Sequence, residues 1–254
     1  MKVAIVGFGT FGQFLAKTFV KQGHVVVGQS RSDYSDAAKE LGAEYVSSAA
    51  ELLARQPDVL ILCTSIMSTR TVLERFPLDQ LQDVLVVDVL SVKVYPKRLM
   101  LDMLPAQADI LCTHPMFGPD SGKYSWKGLP FVYEAVRIAN QPRCAEFLRI
   151  WELEGCSMVQ MSCETHDDHA ASTQFVTHLT GRTLANLELK STPINTRGYM
   201  SLLGVVETTC NDSFDLFYGL YKYNPNSVAQ LDRLEKSLKQ VRAQLEAYEQ
   251  AQQK

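Results

Sequence analysis

The residue best suited to acid–base chemistry is a histidine that follows a short apolar run. His114 stands in the segment THPMFGP, residues 113–119, directly after the predicted strand Asp109–Cys112. Two prolines and a glycine in this segment predict a rigid loop. Isolated histidines are often structural, but an imidazole at the carboxyl end of a strand titrates near neutrality and favours a general base.

A glycine-rich loop stands close to the start of the chain. The sequence GFGTFG follows the first predicted strand and begins an amphipathic helix. Glycines at this spacing permit a tight turn and a close backbone approach, so that a pyrophosphate can rest on the helix N-terminus. The alternative is that these glycines only let the helix pack on the strand. The predicted dinucleotide-binding residues are Gly7, Gly9, Thr10, Phe11 and Gly12.

The end of the second predicted strand indicates which dinucleotide binds. NAD-binding sheets normally have Asp or Glu about 20 residues after the loop. This chain has the sequence QSRS at residues 29–32, with no carboxylate to repel a 2′-phosphate. Ser30, Arg31 and Ser32 can hold that phosphate through charge-assisted hydrogen bonds. The predicted cofactor is therefore NADP, although Arg31 can also be a plain surface charge.

The elements that position these residues are short strands alternating with helices. Near-continuous apolar runs are typical of parallel strands covered on both faces. They fall at Val3–Val6, His24–Gly28, Asp58–Cys63, Val84–Val89 and Asp109–Cys112, and two more runs, Phe131–Ile138 and Cys156–Met161, can extend the sheet at its edge. The prediction is an α/β Rossmann-type parallel sheet domain over residues 1–162.

The spacing of apolar residues changes after residue 162. Helical spacing runs over residues 165–189, 196–221 and from 227 to the end. These stretches predict an all-α C-terminal domain over residues 163–254. In the last of them Leu231, Leu234, Leu238, Val241 and Leu245 are three or four residues apart. Such a stripe is typical either of packing within the domain or of a homodimer contact.

Composition excludes several classes of partner. The chain has 254 residues, with 25 Lys and Arg against 28 Asp and Glu, and this balance gives no positive field for nucleic acid. No apolar run reaches the roughly 18 residues of a membrane-spanning helix. The six cysteines are scattered without a C-x-x-C pair, which predicts reduced thiols. A small-molecule ligand is the expectation.

The sequence THDDH, residues 165–169, contains residue types that are found in zinc sites. Two imidazoles three residues apart, together with a carboxylate, can bind zinc. No third ligand follows at a characteristic spacing, so no metal is predicted.

Five segments together resemble the prephenate/arogenate dehydrogenase family of tyrosine biosynthesis, and most closely its plant-type arogenate dehydrogenases. They are GFGTFG (7–12), SRSDYS (30–35), DVLSVK (88–93), THPMFGP (113–119) and DSFDL (212–216). The resemblance implies oxidative decarboxylation of L-arogenate to L-tyrosine, with hydride transfer from C4 of the ring to NADP. It also implies a homodimer, and tyrosine as a possible feedback inhibitor.

The resemblance assigns roles to individual residues. His114 matches the base that takes the proton of the C4 hydroxyl, and Ser91 matches a serine that hydrogen-bonds this hydroxyl and helps orient the histidine. Asp212 matches the carboxylate that pairs with the ammonium of arogenate, although it can also be a cap or face solvent. The remaining residues expected to line the substrate site are Gln174, Thr196 and Arg197.

Alternatives remain open at this stage. One is a prephenate-preferring dehydrogenase that gives 4-hydroxyphenylpyruvate. Another is a β-hydroxyacid or imine dehydrogenase, which typically uses a catalytic lysine, and a third is an NADP-sensing regulator that needs no base. The expected location is the cytoplasm as the sequence stands, because no signal-type segment opens it. It is the plastid stroma if a leader was removed.

Overall fold

The computed structural model describes residues 1–253 and divides the chain into two compact units. The first unit spans Met1–His166, and the second begins at Asp167. The division falls after residue 166, where the sequence predicted 162. No helix in the described residues is long and apolar enough to cross a membrane.

The first unit contains an eight-stranded sheet. Its strands are β1 (Lys2–Val6), β2 (Val25–Gln29), β3 (Glu44–Val46), β4 (Val59–Leu62), β5 (Leu85–Asp88), β6 (Asp109–Pro115), β7 (Pro130–Arg137) and β8 (Ser157–Gln160). The spatial order is β3-β2-β1-β4-β5-β6-β7-β8. Strands β1 to β6 are parallel, β7 is antiparallel to β6, and β8 is parallel to β7. The predicted Rossmann-type sheet is confirmed, including β7 and β8, which extend it beyond β6.

Helices cover both faces of this sheet. They are α1 (Thr10–Lys21), α2 (Ser35–Leu41), α3 (Ala49–Ala54), α4 (Thr69–Glu74), α5 (Val94–Met103) and α6 (Gln141–Leu153). Two clusters of buried apolar side chains form the cores. In one of them Phe131 of β7 stacks on Trp151 of α6, with ring centroids 4.1 Å apart. Burial on both faces explains why the strands are apolar without alternation.

Two details of the first unit differ from the sequence prediction. The three-residue strand β3 was not predicted, because a run so short carries no readable period. His114 lies inside β6 and pairs with Val132 of β7, whereas the sequence predicted a loop. Strand β6 continues as far as Pro115 because β7 supplies antiparallel hydrogen-bond partners that no local pattern reveals.

The second unit is helical. After α7 (Cys163–Ala170), in which the division falls, come a π-helical turn (Ala171–Phe175), α8 (Val176–Ala185), α9 (Arg197–Cys210), α10 (Phe214–Tyr223) and α11 (Ser227–Gln252). The single helix predicted over 196–221 is in fact two helices. Helix α10 has its own N-cap, since Oγ of Ser213 accepts a hydrogen bond from the Leu216 N–H at 3.2 Å. Asp212 therefore lies in a break between helices.

Candidate active site

The three loop glycines have three different structural roles. Gly7 has a φ of +99°, and a Cβ there would collide with the carbonyl of Cys63 at the end of β4. A Cβ on Gly12 would collide with the carbonyl of Gly7, so Gly12 lets α1 approach the loop. Gly9 meets no atom within 4 Å and faces open space. The first and third glycines fix the turn, and the second leaves room for a ligand.

The N-terminus of α1 can bind an anion. Gly9 is the N-cap residue, no side chain caps it, and the first turn contains no acidic residue. The loop lies between β1 and β4, where the strand order reverses, which is the usual place for a dinucleotide in such sheets. Free N–H groups, the helix dipole and the open face of Gly9 together fit a dinucleotide pyrophosphate.

The loop after β2 is held in shape by a tyrosine that sequence reasoning missed. The Tyr45 hydroxyl lies 3.1 Å from the Ser30 carbonyl and 2.6 Å from the Ser32 carbonyl. Arg31, between the two, is exposed. Asp33, the next carboxylate along the chain, accepts the Ser35 N–H at 2.9 Å, and this backbone hydrogen bond lowers the pKa of Asp33. Its charge is thus directed at the start of α2.

His114 forms a buried pair with a second histidine. Nδ1 of His114 lies 2.8 Å from Nε2 of His166, and the two side chains are 4% and 3% exposed. Burial lowers the pKa of His114 well below its ordinary value, and His166 and Lys93 lower it further. A neutral imidazole at neutral pH is the form that can accept a proton.

A buried ion pair supports the backbone next to His114. The Lys93 ammonium, almost fully buried, binds the Asp88 carboxylate at the end of β5 and also donates to the carbonyl of Thr113. The Thr113 hydroxyl donates to the Asp88 carbonyl at 2.6 Å. These contacts join the carboxyl ends of β5 and β6. The backbone directly before His114 is thereby held against β5.

Ser91 follows the carboxyl end of β5, next to the end of β6. Ser91 is half-buried. Among the described residues, His114 hydrogen-bonds His166 and not Ser91. Ser91 and His114 thus lie at the same edge of the sheet. The imidazole of His114 contacts His166, which the sequence analysis considered only as a zinc ligand.

In the second unit, a polar stripe lies along one helical face. Gln174, His178 and Arg182 follow one another at intervals of four residues. Each has a buried side-chain atom, namely Oε1, Nδ1 and Nε, without a hydrogen-bond partner in the described part of the chain. Buried unpaired polar atoms in a native fold call for an explanation, and a polar ligand is one. His178 and Arg182 were missed by sequence reasoning, although their spacing from Gln174 was a usable signal.

Asp212 lies beside this stripe. Its carboxylate is 3.9 Å from Nε2 of His178, and its carbonyl accepts a hydrogen bond from Arg182 at 2.8 Å. Burial lowers the pKa of His178, and Asp212 works against this shift while Arg182 adds to it. A neutral His178 does not neutralise the carboxylate. The Asp212 side chain is 44% exposed, which differs from the shielded position expected from the sequence.

The structure does not bring all four predicted substrate residues together within one copy of the second unit. Thr196 and Arg197 lie at the first turn of α9, and Asp212 lies beyond its other end. A helix of 14 residues separates them by roughly 20 Å. The Thr196 hydroxyl accepts the Tyr199 N–H at 3.2 Å, so it serves as an N-cap.

Comparison with known proteins decides the family. Residues 15–159 match the family model described as prephenate dehydrogenase, nucleotide-binding domain, and residues 183–254 match a TYRAAT1-like, C-terminal domain. The chain is 55% identical to chloroplastic arogenate dehydrogenase 2 of Arabidopsis thaliana over 96% of its length and 70% of that protein. It is 54% identical to arogenate dehydrogenase 1, of which it spans 39%.

The chain belongs to the prephenate/arogenate dehydrogenase family. The family predicted from the motifs is thus confirmed, and with it a dehydrogenase, an oxidoreductase class. Solved structures agree in fold. Prephenate dehydrogenase from A. aeolicus, in complex with hydroxyphenyl propionate and NAD+, has a TM-score of 0.76 at 21% identity over 96% of this chain and 90% of that one. Synechocystis arogenate dehydrogenase has a TM-score of 0.72 at 18% identity, over 98% and 93%.

The two histidines of the THDDH segment have different surroundings. Within residues 1–253 no group of three or more His, Cys, Asp or Glu side chains could hold a metal ion. His166 faces His114, while His169, the other imidazole of the THDDH segment, is exposed.

Replacing Gly9 by alanine tests the anion cradle. We expect Gly9→Ala to keep the free energy of unfolding within about 1 kcal/mol, because its methyl group meets open space. We expect its affinity for the dinucleotide to fall roughly tenfold or more, since the methyl group occupies the ligand's place. Urea denaturation and cofactor titration measure the two effects.

Gly12→Ala is the matched control, because its methyl group collides with the Gly7 carbonyl. That variant should lose stability and affinity together. Unchanged affinity in Gly9→Ala would show that the loop does not receive the pyrophosphate.

Proposed function

We propose that this chain converts L-arogenate to L-tyrosine and carbon dioxide, with hydride transfer to NADP, in the plastid stroma. The observation that carries the proposal is the 55% identity to arogenate dehydrogenase 2 across 96% of the chain. Both Arabidopsis relatives are named as chloroplastic. A prephenate-preferring activity on the same fold is the alternative that the experiment must separate.

Proton handling in this proposal belongs to His114. A bound nicotinamide cofactor would supply the acceptor for the hydride that leaves C4 of the substrate. Nε2 of neutral His114 takes the proton of the C4 hydroxyl, while Ser91 hydrogen-bonds the same oxygen. As the C1–carboxylate bond breaks and its electrons make the ring aromatic, His114 returns the proton to the phenolate oxygen. The burial that keeps His114 neutral supports this role.

Cofactor binding is assigned to the two loops of the first unit. Gly7, Gly9, Thr10, Phe11 and Gly12 would hold the pyrophosphate at the start of α1. Ser30, Arg31 and Ser32 would hold the 2′-phosphate of NADP. The exposed guanidinium of Arg31, and the engagement of Asp33 with the Ser35 N–H, support NADP over NAD.

Substrate recognition is assigned to the second unit. Asp212 would pair with the ammonium of arogenate, and the neutral state of His178 supports its availability. Gln174, with an unpaired buried carbonyl oxygen, would donate to or accept from the same substrate. Thr196 and Arg197 are further candidates, with Arg197 facing a substrate carboxylate. Tyrosine retains the ammonium, so it would inhibit by occupying the site of Asp212.

A homodimer is part of the proposal. Leu238, Val241 and Leu245 of α11 are 73%, 52% and 67% exposed, at spacings of three and four residues. An apolar seam of this kind is typical of helices that pair, and we propose a second copy of the chain as its cover. Sedimentation should give twice the chain mass, and a monomer mass at every concentration would contradict the dimer.

The direct test of the reaction combines two substrates with two cofactors. The purified protein is incubated with arogenate or prephenate, each with NADP or NAD, and the absorbance of the reduced cofactor is followed. Arogenate with NADP should give the highest kcat/KM. Faster turnover of prephenate would establish the alternative, and no turnover of either substrate would overturn the proposed function.

Arg31→Ala is predicted to change cofactor preference. A lost charge-assisted contact with the 2′-phosphate costs about 1.5–3 kcal/mol, so kcat/KM for NADP should fall by more than tenfold. The value for NAD should hardly change, because NAD lacks the phosphate. Lys39→Ala, a basic residue on the exposed face of α2, is the control. Equal losses with both cofactors would mean that Arg31 does not contact the phosphate.

Asp212→Asn is predicted to change substrate preference. The amide keeps the shape and removes the charge, so kcat/KM for arogenate should fall roughly tenfold or more. Efficiency with prephenate should rise, because an amide can donate to its ketone, and inhibition by tyrosine should weaken. Asp215→Asn, three residues along and also exposed, is the control. An unchanged ratio of the two substrates would exclude Asp212 as the specificity residue.

A further inference from the structure

We propose that His166 is a positioning residue, which holds His114 in the tautomer whose Nε2 is free to accept a proton. The proposal rests on the role of His114 as the base in the proposed function. It concerns a residue that touches the base rather than the substrate. His166 and His114 are 52 positions apart in the sequence, and both belong to the first unit.

The contact between the two rings restricts where their protons lie. Nδ1 of His114 and Nε2 of His166 are 2.8 Å apart, with ring centroids separated by 5.0 Å and planes inclined by 62°. A hydrogen bond between two neutral imidazoles needs one N–H and one lone pair. If His114 donates through Nδ1, its Nε2 is the basic nitrogen. If His166 donates instead, Nε2 of His114 carries hydrogen and cannot act as the base.

Proton transfer selects the first arrangement. After His114 accepts the hydroxyl proton at Nε2, both of its nitrogens carry hydrogen. Nδ1–H then needs an acceptor, and the lone pair on Nε2 of His166 provides one at 2.8 Å. In the opposite arrangement, two N–H groups would face each other in a buried place. His166 therefore both selects the reactive tautomer and stabilises the cation that forms.

The segment that carries His166 is fixed to the sheet. The Cys163 N–H donates to the Glu134 carboxylate of β7 at 2.5 Å, and Lys97 of α5 bridges Glu134 at 2.9 Å and Glu164 at 3.1 Å. Burial alone would lower the pKa of Lys97, but its hydrogen bonds to these two carboxylates outweigh burial and raise it. The start of α7 is thus anchored by charges from two other elements.

Two titratable neighbours, His166 and Lys93, lower the pKa of His114 in addition to burial. The charge of Lys93 is paired with Asp88. Removing the His166 ring takes away one of the causes that lower the pKa of His114, and it also takes away the acceptor that stabilises Nδ1–H of the cation. The pH below which kcat/KM declines should therefore differ from that of the unchanged protein. A purely structural effect of the substitution would lower the amount of folded enzyme and leave this pH unchanged.

Three variants test the proposal. His166→Leu removes the acceptor, His166→Gln keeps a carbonyl oxygen that can accept Nδ1–H, and His169→Leu alters an exposed histidine on the same helix. We expect His166→Leu to lower kcat about 10- to 100-fold, with KM and NADP affinity little changed. Its pH profile should differ from that of the unchanged protein, whereas a purely structural effect would leave the profile where it was. His166→Gln should recover most of the rate, and His169→Leu should behave as the unchanged protein.

A nitrogen spectrum supplies a readout that does not need turnover. In protein labelled with 15N-histidine, the signals of His114, identified by their loss in His114→Asn, should show a protonated Nδ1 and an unprotonated Nε2. A protonated Nε2 would overturn the proposal even if the leucine variant failed to fold. Full turnover in His166→Leu together with loss in His114→Asn would also overturn it while leaving the base in place. Full turnover in both would instead contradict the role of His114.

Discussion

The site depends on the contacts of one buried ammonium group, that of Lys93. A charge without water must be paired and hydrogen-bonded, because an isolated one is costly to bury. Lys93 meets this requirement with a carboxylate at the end of β5 and with the carbonyl of Thr113 in β6. These two contacts hold the end of β5 beside Thr113, and the next residue is His114. The pairing of a buried charge thus helps to set the position of His114.

The same ammonium also affects the protonation of His114. His114 lies next to a cation and a second imidazole in a place without water, and all three conditions favour its neutral form. A solvent-exposed histidine would be partly protonated at neutral pH, and the protonated fraction could not accept a proton. The nucleotide loop offers an anion site without a side-chain charge. The uncapped start of α1 provides N–H donors, and the open face of Gly9 leaves room for the anion.

Local patterns predicted most of the fold but not the contacts of the site. Apolar runs and the glycine spacing predicted the loop and every strand of the sheet except β3, because those depend on neighbours in sequence. The pairing of His114 with His166 depends on where β6 and α7 lie in space. The local sequence around His166 suggested only a comparison with zinc sites and gave no sign of this pairing. The break at Asp212 was readable, since Ser213 is a common N-cap, whereas the position of His178 beside Asp212 required the packed helices.

The central claim is that buried His114 is the base, and His114→Asn tests it most directly. The variant is assayed with arogenate and NADP, and its affinity for NADP is measured separately by titration. We expect near-normal NADP affinity and a kcat lower by about 10²- to 10⁴-fold, because proton transfer is lost while the nucleotide loop is untouched. A variant that binds NADP normally and keeps most of its turnover would contradict the account.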